Sequence, residues 1–110
     1  MEGWEGCGKG VNHTQHAANG DPVIATDRFP DMKGLVDYGH SKNVLMGWYE
    51  NGCACGERVE LDENYEGDIR QLHALGFDAV KLDDCGNQKN MSKYAALMRA
   101  TGKNYEIENW

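Results

Sequence analysis

The sequence lacks two features that would point to a nucleic acid or a membrane as the partner. Its 110 residues include 11 Lys and Arg against 18 Asp and Glu, a formal net charge of -7, and no basic tract is present. Phosphate groups are bound by clustered Lys and Arg, so nucleic acids and anionic membrane surfaces are excluded as predicted partners. The longest uncharged apolar runs, such as 44–49, are far too short to span a bilayer.

Targeting and phosphate-binding motifs are missing as well. Residues 1–10 have neither the basic region nor the apolar stretch of a signal peptide, so this sequence carries no address of its own. Segment 6–10 lacks the preceding strand and the following helix that would make it a phosphate-binding loop. Low-complexity segments are absent, and a charged share of 26% is ordinary for a globular chain. One folded domain is therefore expected.

The four cysteines favour disulfide bonds over a metal site. Cys53 and Cys55 are separated by one residue, which is tighter than the usual spacing of zinc ligands, and His13 and His16 lie far upstream. An even number of cysteines is compatible with an oxidising compartment. Three two-disulfide pairings are open to the set Cys7, Cys53, Cys55 and Cys85. No metal and no cofactor are predicted.

Two N-glycosylation sequons also favour an oxidising, secretory compartment. They are Asn12-His13-Thr14 and Asn90-Met91-Ser92. Chance alone would supply fewer than one such motif in a chain of this composition. The sequons and the cysteine count therefore indicate the same kind of compartment.

The periodicity of apolar residues predicts an α/β fold. Residues 1–27 are rich in loop signals, whereas residues 28–110 alternate between helical and extended patterns. Helices and strands that alternate in this way, with short connections between them, are typical of parallel strands joined by helical crossovers. The first predicted elements are a helix near 31–41 and a strand at 44–49. A second helix, capped by Asp62 or Asn64 and closed by Gly76, is followed by a strand at 77–82 and a turn at 83–87. The last elements are a helix with the apolar stripe Met91, Tyr94, Ala95 and Met98, and a strand at 104–108.

Two architectures fit this order of elements: an open doubly wound sheet and part of a (β/α)₈ barrel. A complete barrel typically needs about 250 residues, more than twice this chain. The sequence also stops on a predicted strand whose edge would be uncovered. We therefore expect a single segment, residues 1–110, of a larger structure. Its inner face, which further strands would cover, is expected to include Met46, Trp48 and Val80 or their neighbours, depending on register.

Lys81 and Asp83 are the first candidates for chemistry. In an extended strand they point to the same side, because side chains alternate with period two, while Asp84 points away. Active sites of parallel α/β proteins lie at the carboxyl ends of strands, and the lysine would favour the ionised, nucleophilic form of the carboxylate. The alternative is a surface ion pair beside a turn in which Asp84 acts as a cap.

Trp48 and Tyr49 hold the equivalent position at the end of the preceding strand. Aromatic residues on a strand are commonly core residues, since burial explains them without a ligand. Tyr49 at the very end is instead placed to offer its hydroxyl to a sugar. Both interpretations remain open at this level.

Several stretches resemble the α-galactosidases (melibiases) of glycoside hydrolase family 27 in their order and spacing. The similarity covers roughly residues 1–110 and is strongest in the Lys-x-Asp-x-Cys block at 81–85. The stretches that carry it are Asp27-Arg28-Phe29-Pro30, Tyr38-Gly39-His40-Ser41-Lys42, Met46-Gly47-Trp48-Tyr49 and 75–85.

This resemblance implies a (β/α)₈ barrel, of which the chain would contain about strands three to five, and retaining hydrolysis of terminal α-linked galactose. Asp83 would be the nucleophile, and Cys85 would be bonded to Cys53 or Cys55. The implied partner is an α-galactoside, and the implied compartment is secreted, lysosomal or vacuolar. The implied sugar-binding residues are Tyr49, Lys81, Cys85, Glu2 and Glu108.

The sequence departs from the family pattern at both ends. Only Glu2 stands where the family has an Asp-Asp pair, and Glu108-Asn109-Trp110 matches the family's motif on the fifth strand loosely. The family's general acid/base would follow residue 110. We therefore expect the isolated chain to be inactive, and Glu50 or Glu108 to be the first candidates for a second carboxylate if it is active. The alternatives are a non-catalytic remnant of the barrel and an α-N-acetylgalactosaminidase.

Overall fold

The computed structural model describes residues 3–109, which form an α/β fold. Helices and strands alternate, as predicted, in the order α1 (Met32–Ser41), β1 (Gly47–Gly52), α2 (Asp62–Leu75), β2 (Ala79–Gly86), α3 (Met91–Ala100) and β3 (Glu106–Asn109). Two single 3₁₀ turns, Val11–His13 and Ala54–Gly56, complete the regular structure. Within the described residues, no helix is both long and apolar enough to cross a bilayer.

The three strands form one parallel sheet in the order β1-β2-β3. Each crossover passes through a helix, which is the arrangement expected of parallel strands. The register aligns Trp48 with Val80, and Val80 with Ile107. One residue further along, Tyr49 is aligned with Lys81, and Lys81 with Glu108. These two rows lie on opposite faces of the sheet, because successive side chains alternate.

The helix ends follow from local sequence signals. The Asp31 side chain accepts a hydrogen bond of 2.9 Å from the Gly34 amide at the start of α1. Asn90 caps α3 in the same way by accepting from the Lys93 amide. Gly76 closes α2 with a left-handed φ of 84°, a conformation that glycine adopts without steric cost.

The predicted cap of α2 is wrong in both of its versions. The helix begins at Asp62 with Leu61 at the cap position, and no side chain caps its first turn. Asp62 and Glu63 instead place negative charge at the positive end of the helix dipole. Asn64 is buried and donates to Glu57 through its side-chain amide.

Two strands differ from their predicted extents. β1 begins at Gly47 rather than at position 44, and Val44 and Leu45 are 51% and 75% exposed. β2 continues to Gly86, through the predicted turn, because Asp83 pairs with Asn51 and Gly86 with Gly52 across a register irregularity. Both strands extend further toward their carboxyl ends than predicted because they pair with each other there. The local sequence pattern does not reveal this pairing.

The core lies between the sheet and the helices. Trp48 is in edge-to-face contact with both Trp4 and Phe77, at 4.7 Å between ring centroids in each case. Around this aromatic group lie buried apolar side chains from all three helices and from β2: Met32, Val36, Ile69, Leu72, Val80, Leu82, Tyr94 and Met98.

The expectation of an uncovered inner face is therefore wrong for the side chains of Trp48 and Val80, whereas Met46 and the neighbours of Val80, Ala79 and Lys81, do line the open face. Trp48 and Val80 are only 1% and 2% exposed, because their row of the register faces the helices. Met46 packs against Gly39 of α1, and a Cβ atom at position 39 would collide with the sulfur of Met46. The open face carries the other row, in which small and polar residues predominate: Gly47, Tyr49, Ala79, Lys81, Glu106 and Glu108.

The segment 3–27 is folded onto the rest of the chain although its regular structure is only the turn at Val11–His13 and isolated bridges. Trp4 anchors it in the core, and its indole N–H donates to the Tyr49 carbonyl oxygen at 2.6 Å. A disulfide bond joins Cys7 to Cys55. This segment therefore supports the strand that carries Tyr49.

Candidate active site

The candidate site lies on the open face of the sheet. A concave region of about 600 Å³ is lined there by residues of all three strands, including Tyr49, Lys81 and Glu108. Asp83 stands beside this region, one step further toward the carboxyl end of β2 than Lys81 on the same face. The carboxyl edge of a parallel sheet is the usual location of an active site.

Tyr49 and Asp83 are joined by a short hydrogen bond. The Tyr49 hydroxyl donates to Asp83 Oδ2 at 2.7 Å, from β1 to β2. The pKa of Tyr49 is raised to about 12, first by burial, then by the hydrogen bond to Asp83 and by the negative charge of Asp83. The tyrosine therefore stays protonated at neutral pH and holds one oxygen of the carboxylate, leaving the other oxygen available.

Lys81 lies on β2, two residues before Asp83, and contacts the ring of Tyr49. Its ammonium group is 5.5 Å from the centre of the Tyr49 ring, within the range of a cation–π contact. In the register it is aligned with Glu108, which is exposed on the same face. Lys81 and Asp83 thus share one side of β2, as alternation predicts.

Asp84 occupies the opposite side of β2. Its carboxylate is 2.9 Å from the ammonium group of Lys89, and both side chains are more than half exposed. Asp84 does not cap α3, since Asn90 does. Asp84 and Lys89 thus form an ion pair at the surface.

The disulfide bonds flank the site. Cys53, just after β1, is bonded to Cys85 in β2, two residues beyond Asp83. Of the two partners left open for Cys85, the structure has Cys53, while Cys55 is bonded to Cys7. The sulfur of Cys85 is thus committed to a covalent bond that holds together the ends of the two strands bearing Tyr49 and Asp83.

The two remaining acidic candidates differ in placement, and a third is not described. Glu50 is 3% exposed on the helix side of the sheet, which excludes it as a second carboxylate on the open face. Burial, and then the charge of Asp68, raise the pKa of Glu50 well above its usual value. Glu108 does lie on the open face. Glu2 and Trp110 lie outside the described residues.

A buried polar network behind the sheet was not predicted. His16 Nδ1 lies 2.7 Å from Glu57 Oε1, and His16 Nε2 lies 2.7 Å from Asp68 Oδ1. Although burial alone lowers the pKa of His16, the hydrogen bonds to Asp68 and Glu57 raise it to about 9. The imidazolium therefore bridges two carboxylates and fixes the segment 3–27 to α2.

No local signal could have revealed this network, because His16 is 41 residues from Glu57 and 52 from Asp68. The sequence suggested His16 only as a remote zinc ligand. Among residues 3–109, no group of three or more His, Cys, Asp and Glu side chains is arranged to hold a metal ion.

Comparisons with known proteins identify the fold. No protein-family model matches the sequence, and no curated protein matches it. Two solved structures of α-galactosidase from Saccharomyces cerevisiae do match. The structure with raffinose has a TM-score of 0.70 over 88% of this chain, and the other has a TM-score of 0.72 over 97%. Both are 20% identical in sequence.

The fold of this chain is thus that of part of an α-galactosidase. The chain covers 25% of the length of each of these neighbours. What is similar is the α/β arrangement with its three-stranded parallel sheet. The activity of the yeast enzyme belongs to the longer protein.

Proposed function

We propose that this chain is the part of a (β/α)₈ glycoside hydrolase barrel that carries the nucleophile for retaining hydrolysis of α-galactosides. The observation that supports this most directly is the short hydrogen bond between Tyr49 and Asp83 at the carboxyl edge of the sheet. Lys81 on the same face supplies the positive charge and donors that sugar hydroxyls and an ionised carboxylate require.

In the first step, the free oxygen of the Asp83 carboxylate attacks the anomeric carbon. The bond from that carbon to the leaving-group oxygen breaks, and an acyl-linked glycosyl intermediate forms. A proton must reach the leaving oxygen from an acid, for which this proposal assigns a carboxyl group of the remaining barrel about 5 to 5.5 Å from Asp83. Water then attacks the same carbon and gives one proton to that carboxyl group, which was left ionised by the first step. The bond between the carbon and Asp83 breaks, and the sugar is released with its configuration retained.

Tyr49 and Lys81 have different tasks in this proposal. The Tyr49 hydroxyl holds Asp83 in one orientation, which keeps the free oxygen directed at the open face. Lys81 binds sugar hydroxyls. Glu108, aligned with Lys81, is a further candidate for a sugar contact.

An oxidising compartment is part of the proposal. Two disulfide bonds join four cysteines, and no free cysteine remains among residues 3–109. Such bonds persist in secreted and vacuolar or lysosomal proteins, where thiols are not kept reduced.

The test is covalent labelling with a 5-fluoro-α-galactosyl fluoride. Its fluoride leaves without protonation, so the attack of Asp83 can be followed without the acid. We expect the mass of one fluorogalactosyl group on the peptide that contains Asp83, no label on Asp83→Asn and ordinary labelling of Asp84→Asn. Label on another carboxylate would refute the assignment of Asp83. Galactose binding with no label at all would show a non-catalytic sugar-binding segment.

A further inference from the structure

A second groove lies far in sequence from the candidate active site, between the segment 3–27 and residues 57–64. Its volume is about 380 Å³. Its floor is polar and includes buried His16 and Glu57, whereas its rim carries three apolar side chains. Those side chains are exposed by 46%, 51% and 47%: Val11, Val59 and Leu61. Three half-exposed aliphatic residues therefore border one groove.

Asn12 lines the same groove and begins the sequon Asn12-His13-Thr14. It is exposed, it has a left-handed φ of 51°, and its side chain makes no hydrogen bond with any residue in the range 3–109. Asparagine tolerates this backbone conformation. The Thr14 hydroxyl donates to the Val11 carbonyl oxygen and holds the turn. The sequon is therefore presented on a surface turn with its amide nitrogen free.

The sequon at Asn90 has a structural explanation. The Asn90 side chain accepts a hydrogen bond of 3.1 Å from the Lys93 amide and so caps α3, and its backbone N–H donates to the Tyr65 hydroxyl. An asparagine is favoured at this position whether or not it is modified. The left-handed backbone at Asn12 favours asparagine or aspartate, but its side chain, unlike that of Asn90, makes no hydrogen bond with any residue in the range 3–109.

We propose that Asn12 is N-glycosylated and that the first N-acetylglucosamine of its glycan covers the groove formed by Val11, Val59 and Leu61. The acetamido methyl group and the C–H face of this sugar are apolar and match the aliphatic rim. The attachment point on the rim places the first sugar, rather than a distal one, over these side chains.

The modification is a group transfer from a lipid-linked oligosaccharide diphosphate. Asn12 Nδ2 forms a bond to the anomeric carbon of the first sugar and loses one proton. The bond from that carbon to the phosphate oxygen breaks, and the lipid diphosphate leaves. The inference requires the secretory compartment of the proposed function but is independent of whether Asp83 is a nucleophile.

The occupancy test uses the full chain secreted from a eukaryotic host. Aspartate is tolerated in left-handed turns and is also a good helix cap, so Asn12→Asp and Asn90→Asp each remove an acceptor without removing its local structural role. We expect a glycan on the peptide containing Asn12 and its loss in Asn12→Asp, and we expect Asn90→Asp to keep it. An unmodified Asn12 in a host that glycosylates a co-expressed control protein would overturn the proposal.

The covering role is tested by trimming the glycan. One sample is treated with an endoglycosidase that leaves a single N-acetylglucosamine, and another with an amidase that removes the entire glycan. We expect amide hydrogen exchange in residues 57–61 to be several-fold slower in the first sample than in the second. Equal exchange in both samples would show that the sugar does not cover the groove.

Discussion

The Tyr49 hydroxyl and the Asp83 carboxylate are 2.7 Å apart across two neighbouring strands, and the hydrogen bond runs from the phenol to the acid. This direction is maintained at neutral pH because burial and the charge of Asp83 raise the pKa of Tyr49 to about 12. The pair leads to the first prediction.

Tyr49→Phe should slow the labelling of Asp83 by the galactosyl fluoride roughly tenfold to a hundredfold, which corresponds to a charge-assisted hydrogen bond of about 1.5 to 3 kcal/mol. The ring remains, so folding should be preserved. The rate constant for labelling is measured by mass spectrometry. Tyr38→Phe is the matched control, because Tyr38 is 63% exposed on α1. Equal rates for both variants would mean that Tyr49 does not orient Asp83.

The isolated 110-residue chain should not hydrolyse an aryl α-galactoside measurably, although it should be labelled by the fluoride. The proposed function assigns the general acid/base to the remaining barrel, and such a group contributes about 10² to 10⁴-fold to the rate. Release of the aryl alcohol is followed by absorbance. If purified chain is active, Glu108→Gln tests the acidic candidate that lies on the open face, and Glu66→Gln, at an exposed position of α2, is its control.

His16 should make stability depend on pH. Its pKa is about 9 in the folded protein against 6.5 when unfolded, so the folded state binds the proton more tightly. The resulting stabilisation, about 3 kcal/mol at most, is fully present below pH 6.5 and is lost as pH rises through 9. Denaturant unfolding between pH 6 and 10 measures it.

The variant His16→Gln should be less stable at pH 6 and should lose much of this dependence. His13→Gln, at an exposed position, should behave like the parent protein. A parent protein whose free energy of unfolding stays level from pH 6 to pH 10 would contradict the assignment of a charged His16.

The disulfide pairing can be tested with double variants. A double variant with Cys7→Ala and Cys55→Ala keeps Cys53 and Cys85. These two cysteines should form their disulfide bond and leave no free thiol. Cys7→Ala with Cys53→Ala leaves Cys55 and Cys85, which should stay reduced. Thiol titration of the folded proteins reports both results, and a free thiol in the first variant would contradict the pairing.

Removal of the Cys53–Cys85 bond by Cys53→Ala with Cys85→Ala should lower the free energy of unfolding by roughly 3 to 4 kcal/mol, according to the chain-entropy relation. The bond closes a loop with a sequence separation of 32 residues. Labelling of Asp83 should also slow, because this bond holds the ends of β1 and β2 together.

Parts of the fold that depend on neighbouring residues were predictable. The sequence pattern predicted the helix near 31–41, although not its cap at Asp31, and it correctly placed Gly76 at the end of α2. Alternation along one strand was enough to place Lys81 and Asp83 on the same side. These features depend on contacts within about one helical turn or one strand, where the sequence itself specifies which groups meet.

Features that depend on distant residues were decided by the tertiary structure. Residues 83–86, predicted as part of a turn, belong to β2 because they pair with β1. Trp48 faces the helices, where it packs against Trp4 and Phe77. The partners of Cys85 and His16 were selected in the same way from several residues of suitable type.

The sequence by itself determined the order of helices and strands and the side of β2 on which the candidate nucleophile lies. The tertiary structure alone decided that Tyr49 donates to Asp83 and that His16 is charged between two carboxylates. The physical reason is that such pairs are brought together by the packing of the sheet, the helices and the segment 3–27. Their hydrogen bonds and pKa values depend on burial that exists only once all of these parts are in place.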